Sequence, residues 1–482
     1  MKPFHIYNTL ARSVEEFRPQ DPSAVTIYSC GPTVYLPQHL GNFRTFLSWD
    51  FLRRALEFTG YGVRHVMNIT DVGHMTSEGD VGEDKIEKTA RAEHKSPLEV
   101  ANFYTDLFLR DWDLLHLKRP VVICRATEHI PEMLALIERI IAAGYAYVTP
   151  SGVYFDVEKW RGPSRIGRLS RQSLDEQDSA QRLEHSPDKK SPHDFALWFL
   201  NKPSHILQWE GPWGRGYPGW HIECSAMAMK YLGETIDIHT GGMDHIPIHH
   251  ENEIGQSESA TGKPFARYFM HSAFLVNKEG VKISKSAGKF PLLSELPRGV
   301  EPLAFRMLCF GAKYRSELVY SDEGLRAAQS NLEYLREFAR NVPRDAEGAR
   351  AGEWTGEFGE SFEDALCDDL NTPRALAATL ELVAQAYRRQ DWSAWNLLGR
   401  FDQVLGLKLA EHREASLAAA FPAEANALIA RREKARKERD FALADRLRKE
   451  LLDSFQIVAK DLPDGKSAYY GKMTGRDETG KG

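Results

Sequence analysis

The groups best suited to chemistry in this chain are a few thiols, imidazoles and carboxylates at suggestive spacings. Cys30 follows an apolar, β-branched run, Val25-Thr26-Ile27-Tyr28, and Cys224 lies within GWHIECSAM. His249 and Glu253 are four residues apart in HHENE, so on a helix they share one face. Two thiols, one imidazole and one carboxylate can complete a tetrahedron around Zn2+. Structural zinc sites favour thiolates and imidazoles, so the carboxylate points to an ion that also takes a ligand from a substrate. If the helix phase shifts by one residue, His250 and Glu251 become the candidates instead. The plainer alternative is a pair of buried thiols beside a polar helix face.

Two further segments could hold a phosphate. His39-Leu40-Gly41-Asn42 stands between a strand and a helix, where backbone N–H groups and the positive helix end favour anions and glycine permits close approach. Lys282-Ile283-Ser284-Lys285-Ser286-Ala287-Gly288-Lys289 is a basic loop whose lysines could neutralise a triphosphate. Singly, they read as a capped glycine turn and a solvated loop. Together they could clamp one nucleotide. Trp220, His221 and His239 sit among strand-like apolar residues, where such side chains are more often core than catalytic. Arg431 to Glu450 holds nine Lys or Arg against five Asp or Glu, a candidate RNA footprint or a solvated, ion-paired helix.

The elements that must position these groups follow from periodicity. The apolar run at Val25 is a strand, Phe43 to Thr59 is a helix stopped by Gly60-Tyr61-Gly62, and Val63 to Ile69 is a second strand. That is the start of a βαβ unit, with parallel strands and functional loops at their carboxyl ends, where Cys30 and Thr70 fall. A helix from Pro131 to Gly144 and a hairpin, Tyr145 to Val148 with Val153 to Val157, then interrupt the pattern as an insertion. A polar run, Ser170 to Ser191, reads as a loop, and α/β patterning resumes at Gly219 with strand Ile236-Asp237-Ile238 and a helix near His249. From Ser321 the chain turns helical, striped by Leu325, Ala328, Leu332 and Leu335, with Thr372-Pro373 capping and starting a helix striped by Leu376, Leu380 and Val383. Pro343 to Gly352 reads as a hinge.

With 482 residues and 42% apolar content the chain can bury several cores, and a net charge of -6 is ordinary for a soluble protein. No stretch approaches the roughly 20 apolar residues that span a bilayer, and the first residues lack a signal-peptide pattern, so the expected location is the cytoplasm, with no membrane partner. Five widely spaced cysteines do not form a disulfide framework.

Taken together, these segments resemble the cysteinyl-tRNA synthetases, a family of class I aminoacyl-tRNA synthetases, from about Tyr7 to about Tyr470. YSCGPTVYLPQHLGNFRT is similar to the family's first signature, GWHIECSAM and DIHTGGMDHIPIHHENEIGQSE to its zinc region, and KISKS to its second nucleotide signature. RATEHIPEMLALIERIIAAGYAY, DDLNTPRAL and ARKERDFALADRLRKEL also match family segments. The resemblance implies Cys30, Cys224, His249 and Glu253 as ligands of one Zn2+, with the substrate thiol as a fifth. It places Thr70, Trp220 and His239 around the cysteine. It puts His39, Gly41, Asn42, Gly241, Asp244 and Lys285 at ATP, with His39, Asn42, Lys282 and Lys285 as catalytic. The implied partners are tRNA(Cys), L-cysteine and ATP with Mg2+; the sequence shows no dedicated dimerisation stripe, so a monomer is expected.

The implied fold is α/β: a Rossmann-type parallel-sheet catalytic domain with an inserted connective domain, then a C-terminal helical bundle and a small anticodon-binding region. Its expected limits are 1–125 and 206–270 for the catalytic halves, 126–205 for the insertion and 271–320 for the second-signature and stem-contact region. The bundle follows at 321–410, the anticodon region at 411–472 and a disordered tail at 473–482. Leu40 and Asn42 replace the usual isoleucine and last histidine of the first signature, Ile283 replaces methionine in the second, and 72–83 is enlarged. Two rivals are a cysteine ligase of the mycothiol pathway, which lacks a long region like that after Ser321, and a non-catalytic zinc RNA-binding protein.

Overall fold

Apolar, β-branched runs form the strands of the first unit, and their burial on both faces is what a parallel sheet covered by helices requires. A hairpin of β1 (His5–Asn8) and β2 (Ser13–Glu16) precedes β3 (Val25–Ser29), β4 (Val63–Ile69) and β5 (Val122–Arg125). An antiparallel sheet follows, β6 (Ala146–Thr149), β7 (Gly152–Phe155), β8 (Phe195–Leu200) and β9 (Gly216–Pro218), so the inserted sheet ends beyond residue 205. The chain then returns with β10 (Ile236–Gly242) and β11 (Ala266–Ser272). This computed structural model describes residues 2–72, 84–164, 166–174, 176, 187–202, 205–283, 290–342, 352–418, 421–461 and 467–471. Lys285, most of the enlarged segment, nearly all of the expected hinge and the expected tail lie outside the described residues.

The central sheet has the order β11-β10-β3-β4-β5, every neighbouring pair parallel. The chain goes outward from β3 to β4 and β5, then returns to lay β10 on the other side of β3. The strand order therefore reverses between β3 and β10, the place where open parallel sheets bind ligands beyond their carboxyl ends. Cys30 follows β3, Thr70 follows β4, and Gly241-Gly242 end β10.

The helix after β3 spans Leu40–Phe58 and starts three residues before the expected Phe43. His39 is its N-cap: the ring Nδ1 accepts the Asn42 N–H at 3.3 Å, and Asn42 Oδ1 accepts the His39 N–H at 3.2 Å. This reciprocal capping box draws Leu40-Gly41-Asn42 into the first helical turn. The helix start at residue 372 also differs in detail. Asn371 Oδ1 accepts the Arg374 N–H at 3.4 Å, while the expected cap, Thr372, donates its hydroxyl to the Ala312 carbonyl at 3.1 Å.

Asp50 ties three parts of this unit together. Its Oδ2 meets Arg54 at 2.7 Å and Arg306 at 2.6 Å, and its Oδ1 accepts the Lys118 N–H at 2.8 Å. Burial alone would raise this carboxyl, but Arg306 and Arg54 outweigh it and hold it at about 2. Short strands β12 (Leu275–Val276) and β13 (Leu318–Val319) pair in parallel, and Arg44 donates to the Phe274 carbonyl at 2.9 Å.

The chain divides into two compact units, Met1–Gln329 with Ser361–Leu376, and Ser330–Glu360 with Ala377–Gly482. In the second, Phe338 stacks on Trp392 with ring centres 5.4 Å apart and meets Tyr387 edge-on. A separate small core of Ala425, Leu428, Leu447, Leu451, Ile457 and Ala459 joins the Ala423–Lys437 and Phe441–Phe455 helices to the hairpin of β14 (Ile457–Asp461) and β15 (Ser467–Gly471).

Replacing Asp50 by Asn should destabilise the protein by about 3 kcal/mol or more in denaturant unfolding at neutral pH, because two buried guanidinium groups lose their counter-charge. A carboxyl held lower in the folded state contributes stability above its unfolded value near 3.8 and loses it as pH falls. The gap between wild type and Asp50→Asn should therefore close between about pH 4 and pH 2; a gap independent of pH would contradict this assignment.

Candidate functional site

The Trp220–Leu232 helix follows β9, and the His249–Thr261 helix follows β10 after a short turn. They bring Cys30, Cys224, His249 and Glu253 together with one ligand atom from each within 4.8 Å of the others, all buried. Cys30 Sγ lies 3.8 Å from Cys224 Sγ, and His249 Nε2 lies 2.7 Å from Glu253 Oε1. A second possible set, Cys30, His239, His250 and Glu253, shares two of these residues. Glu251 does not join either: its carboxylate accepts the N–H groups of Arg168, Leu169 and Ser170 and holds that turn.

Electrostatics divide the protons unequally. Burial drives the Cys30 thiol well above its ordinary range. The hydrogen bond from Cys30, helped by His249, brings Cys224 down to about 7 against the effect of burial. Burial would lower His249, but Glu253 and Cys224 lift it to about 10. Burial would raise the Glu253 carboxyl, and the charges of His239 and His249 instead hold it far below its ordinary range. The cluster thus offers an ionised carboxylate and a readily ionised thiol, two of the donor states a cation needs, while His249 would give up its proton on binding one.

Around this cluster the histidines are buried and hydrogen-bonded. His239 is fully buried; Nδ1 meets the Tyr28 carbonyl at 3.1 Å and Nε2 meets Glu253. His221 Nδ1 lies 2.9 Å from His249 Nδ1, and Trp220 packs its ring 4.6 Å from that of His249. His250 Nδ1 meets His271 Nε2 at 2.9 Å, and His271 Nδ1 meets Thr9 Oγ1 at 2.8 Å. A cavity of about 80 Å³, space for two or three waters or one short side chain, is lined by Trp220, His221, Asp244, His245, Ile248 and His249.

Thr70 donates its hydroxyl to Glu223 Oε2 at 3.1 Å and accepts from Asn68 Nδ2 at 3.0 Å. Asn68 Oδ1 in turn accepts the Gly31 N–H at 2.8 Å. Glu223 and Asn68 had no distinct motif; the available signal was a carboxylate beside Cys224 in an otherwise apolar helix turn. Gly41 lies against the His39 ring and the Ile283 carbonyl, where a Cβ would fall 2.9 and 3.3 Å away, so the two phosphate-type segments do approach each other. At Gly241 a Cβ would meet His245 at 2.5 Å and His250 at 2.7 Å. Lys282 Nζ pairs with Asp244 Oδ2 at 3.1 Å and lies over the Phe274 ring.

Residues 16–330 match the model for the catalytic domain of class I (C) tRNA synthetases, residues 361–410 a DALR domain, and residues 418–465 the cysteinyl-tRNA ligase anticodon binding domain. The cysteine–tRNA ligase of Chlorobaculum tepidum is 43% identical over 96% of this chain and 98% of its own length. Cysteine–tRNA ligase 1 of Burkholderia lata is 44% identical over 97% of each. The chain belongs to the cysteinyl-tRNA synthetase family. Its fold is shared by methionyl-tRNA synthetase of Mycobacterium tuberculosis in complex with methionyl-adenylate, with a TM-score of 0.56 at 16% identity over 88% of this chain and 96% of that one. A LeuRS–tRNA–LeuAMS complex from Agrobacterium radiobacter K84 gives a TM-score of 0.57 at 11% identity over 84% and 86%.

Within this cysteinyl-tRNA synthetase family member the C-terminal cations divide into two kinds. Arg432 is fully buried and bonds Asp461 at 2.6 Å, Ser467 at 2.9 Å and Tyr469 at 3.0 Å, and Arg436 also meets Asp461. Those two hold the small core together. Arg431, Lys434, Lys437, Arg439, Arg446, Arg448 and Lys449 stay exposed. The candidate footprint is therefore smaller than its charge count.

A Cβ at Gly31 would lie 1.6 Å from the Asn68 carbonyl oxygen. Gly31→Ala should force β3 from β4, cost at least about 1–3 kcal/mol in thermal unfolding and lower bound metal by displacing Cys30. Wild-type metal content and melting temperature would show that the strands can spread without consequence.

Proposed function

We propose that this chain activates L-cysteine with ATP-Mg2+ to give cysteinyl-adenylate and then transfers the cysteinyl group to the 3′-terminal adenosine of tRNA(Cys). In the first step the cysteine carboxylate oxygen bonds to the α-phosphorus and pyrophosphate leaves. In the second a ribose hydroxyl attacks the acyl carbon and AMP leaves. The observation that carries this reading is the buried quartet of Cys30, Cys224, His249 and Glu253, four ligand atoms within 4.8 Å beside a small cavity at the reversal of strand order.

The quartet fits Zn2+. With Zn–S near 2.3 Å, two sulfurs of a tetrahedron lie about 3.8 Å apart, the spacing of Cys30 and Cys224. The set with two thiols is preferred over the set of Cys30, His239, His250 and Glu253, because thiolate sulfur is the stronger ligand for Zn2+ and that second set offers only one thiol. Bound Zn2+ would take the substrate thiol as thiolate and so favour cysteine over serine, a distinction that an apolar pocket makes by only about 1–3 kcal/mol.

The protein's own groups supply placement. Trp220 and His249 wall the cavity, Thr70 is oriented by Glu223 and Asn68, and His239 by the Tyr28 carbonyl. His39, Gly41 and Asn42 at the helix start, with Gly241 and the Asp244–Lys282 pair, receive the nucleotide. His39, Lys282 and Lys285 act as electrostatic donors to phosphate oxygens rather than as a base. On this reading 1–125 and 219–270 are catalytic, 126–218 connective through β9, 271–320 contacts the acceptor stem, and 321–410 and 411–472 contact tRNA, in a cytoplasmic monomer.

The deciding experiment is cysteine-dependent ATP–pyrophosphate exchange with zinc analysis, wild type beside Cys224→Ser, followed by tRNA charging. Wild type should exchange and charge, and Cys224→Ser should lose zinc and exchange together. Exchange without charging would replace tRNA by a small amine acceptor, and no exchange would leave a binding protein. Serine should be activated more than about a hundredfold less efficiently than cysteine, beyond what an apolar pocket gives; a ratio inside that range would remove zinc from the account of selectivity.

A further inference from the structure

A second cluster of metal-ligating side chains stands apart from the cysteine-bearing one. Asp84, Glu87 and His205 offer ligand atoms within 4.8 Å of one another, and they are only 4%, 5% and 5% exposed. Asp84 Oδ1 caps the Lys85–Glu93 helix by accepting the Glu87 N–H at 2.8 Å, and Glu87 Oε1 accepts the Ile206 N–H at 2.6 Å. Backbone groups thus anchor each carboxylate through one oxygen. The His205 ring lies between the two, with Nε2 2.9 Å from Asp84 Oδ2 and Nδ1 3.6 Å from Glu87 Oε1. Tyr217 of β9 stacks on that ring at 3.7 Å and 13° and fixes its plane.

Hydrogen bonding within the cluster leaves two things unaccounted for. Two buried carboxylates face one imidazole, which carries at most one positive charge, and no Lys or Arg pairs with either among the described residues. The helix N-terminus offsets only part of that charge, and buried charge is otherwise paired or bound to metal. The other is His205 Nδ1, a buried nitrogen with no hydrogen-bond partner. Its 3.6 Å gap to Glu87 is too long for a hydrogen bond, yet close to the roughly 3.4 Å between two ligands of one tetrahedral ion at about 2.1 Å. A carboxylate behind the far ring nitrogen, the place Asp84 takes, is the usual way a metal-binding histidine is oriented.

We propose that Glu87 and Nδ1 of His205, with Asp84 orienting the ring, form a second divalent-metal site that takes a first-row ion of nitrogen and oxygen preference. Water completes its coordination, so it holds metal less tightly than the cysteine-bearing quartet. The ion would join the helix that follows the Thr70 segment to the chain entering β9, which leads directly to Trp220.

Titration of metal-free protein with Co2+, followed by absorption and equilibrium dialysis, tests this without reference to the reaction. Wild type should bind a tighter equivalent with sulfur-to-cobalt charge-transfer absorption, lost in Cys224→Ser, and a weaker one without it, lost in His205→Ala. Glu87→Gln, equal in shape but uncharged, should weaken only the second equivalent, at least about tenfold, with an unchanged circular dichroism spectrum. A single equivalent in wild type, or a second one bound as well by Glu87→Gln, would overturn the proposal, and Glu87→Gln decides the matter if His205→Ala does not fold.

Discussion

Strand β3 runs parallel to β10 with Ile27 opposite Ile238 and Ser29 opposite Thr240, and the Cys30 N–H continues the ladder to the Thr240 carbonyl at 3.2 Å. Side chains alternate faces along a strand, so a slip of one residue would turn the chain leaving β3 to the wrong side. Cys30 would then face away from Glu253 and Cys224. That register also sets which side of the sheet receives the Trp220–Leu232 and His249–Thr261 helices. The ligand cluster, the histidines behind it and the cavity beside it all inherit their positions from this pairing.

Much of this was legible in the sequence because each signal was local. The β-branched runs at Val25 and Val63, the spacing of His249 and Glu253, and the leucine stripe from Leu325 need no knowledge of distant residues. Strand β5 and the inserted strands β8 and β9 carried less distinct patterns: four residues at Val122 are too few for periodicity, and β8 is buried along its whole length, so it shows no alternation. The helix start at Leu40 was misjudged because a histidine is an unusual cap, and its competence depends on a ring orientation no pattern records. Choosing between Glu251 and Glu253 needed the position of residues 168–170, far away in sequence. Arg432 counted toward a nucleic-acid surface until its partners, on a hairpin some thirty residues later, placed it inside.

Histidines are prominent among the buried polar groups near the cluster, and their bonds show how they are accommodated in the core. A buried imidazole must satisfy its two nitrogens. His239 does so with the Tyr28 carbonyl and Glu253, and His250 reaches His271, which reaches Thr9. Groups held this way fix the carboxylate and thiol before any cation arrives, much as outer partners orient metal ligands elsewhere. The low dielectric that makes such groups costly when unpaired strengthens them when paired.

The capping box at His39 and Asn42 bears on how such chains are found. Its third residue after the cap is required to present an acceptor to the backbone, and an asparagine amide meets that requirement as a carboxamide oxygen. A search pattern insisting on histidine at residue 42 would pass over this chain, whereas one asking for any acceptor at that helical position would retain it. Gly41, wedged between an imidazole and the Ile283 carbonyl, is the member of this segment with least room for a larger side chain.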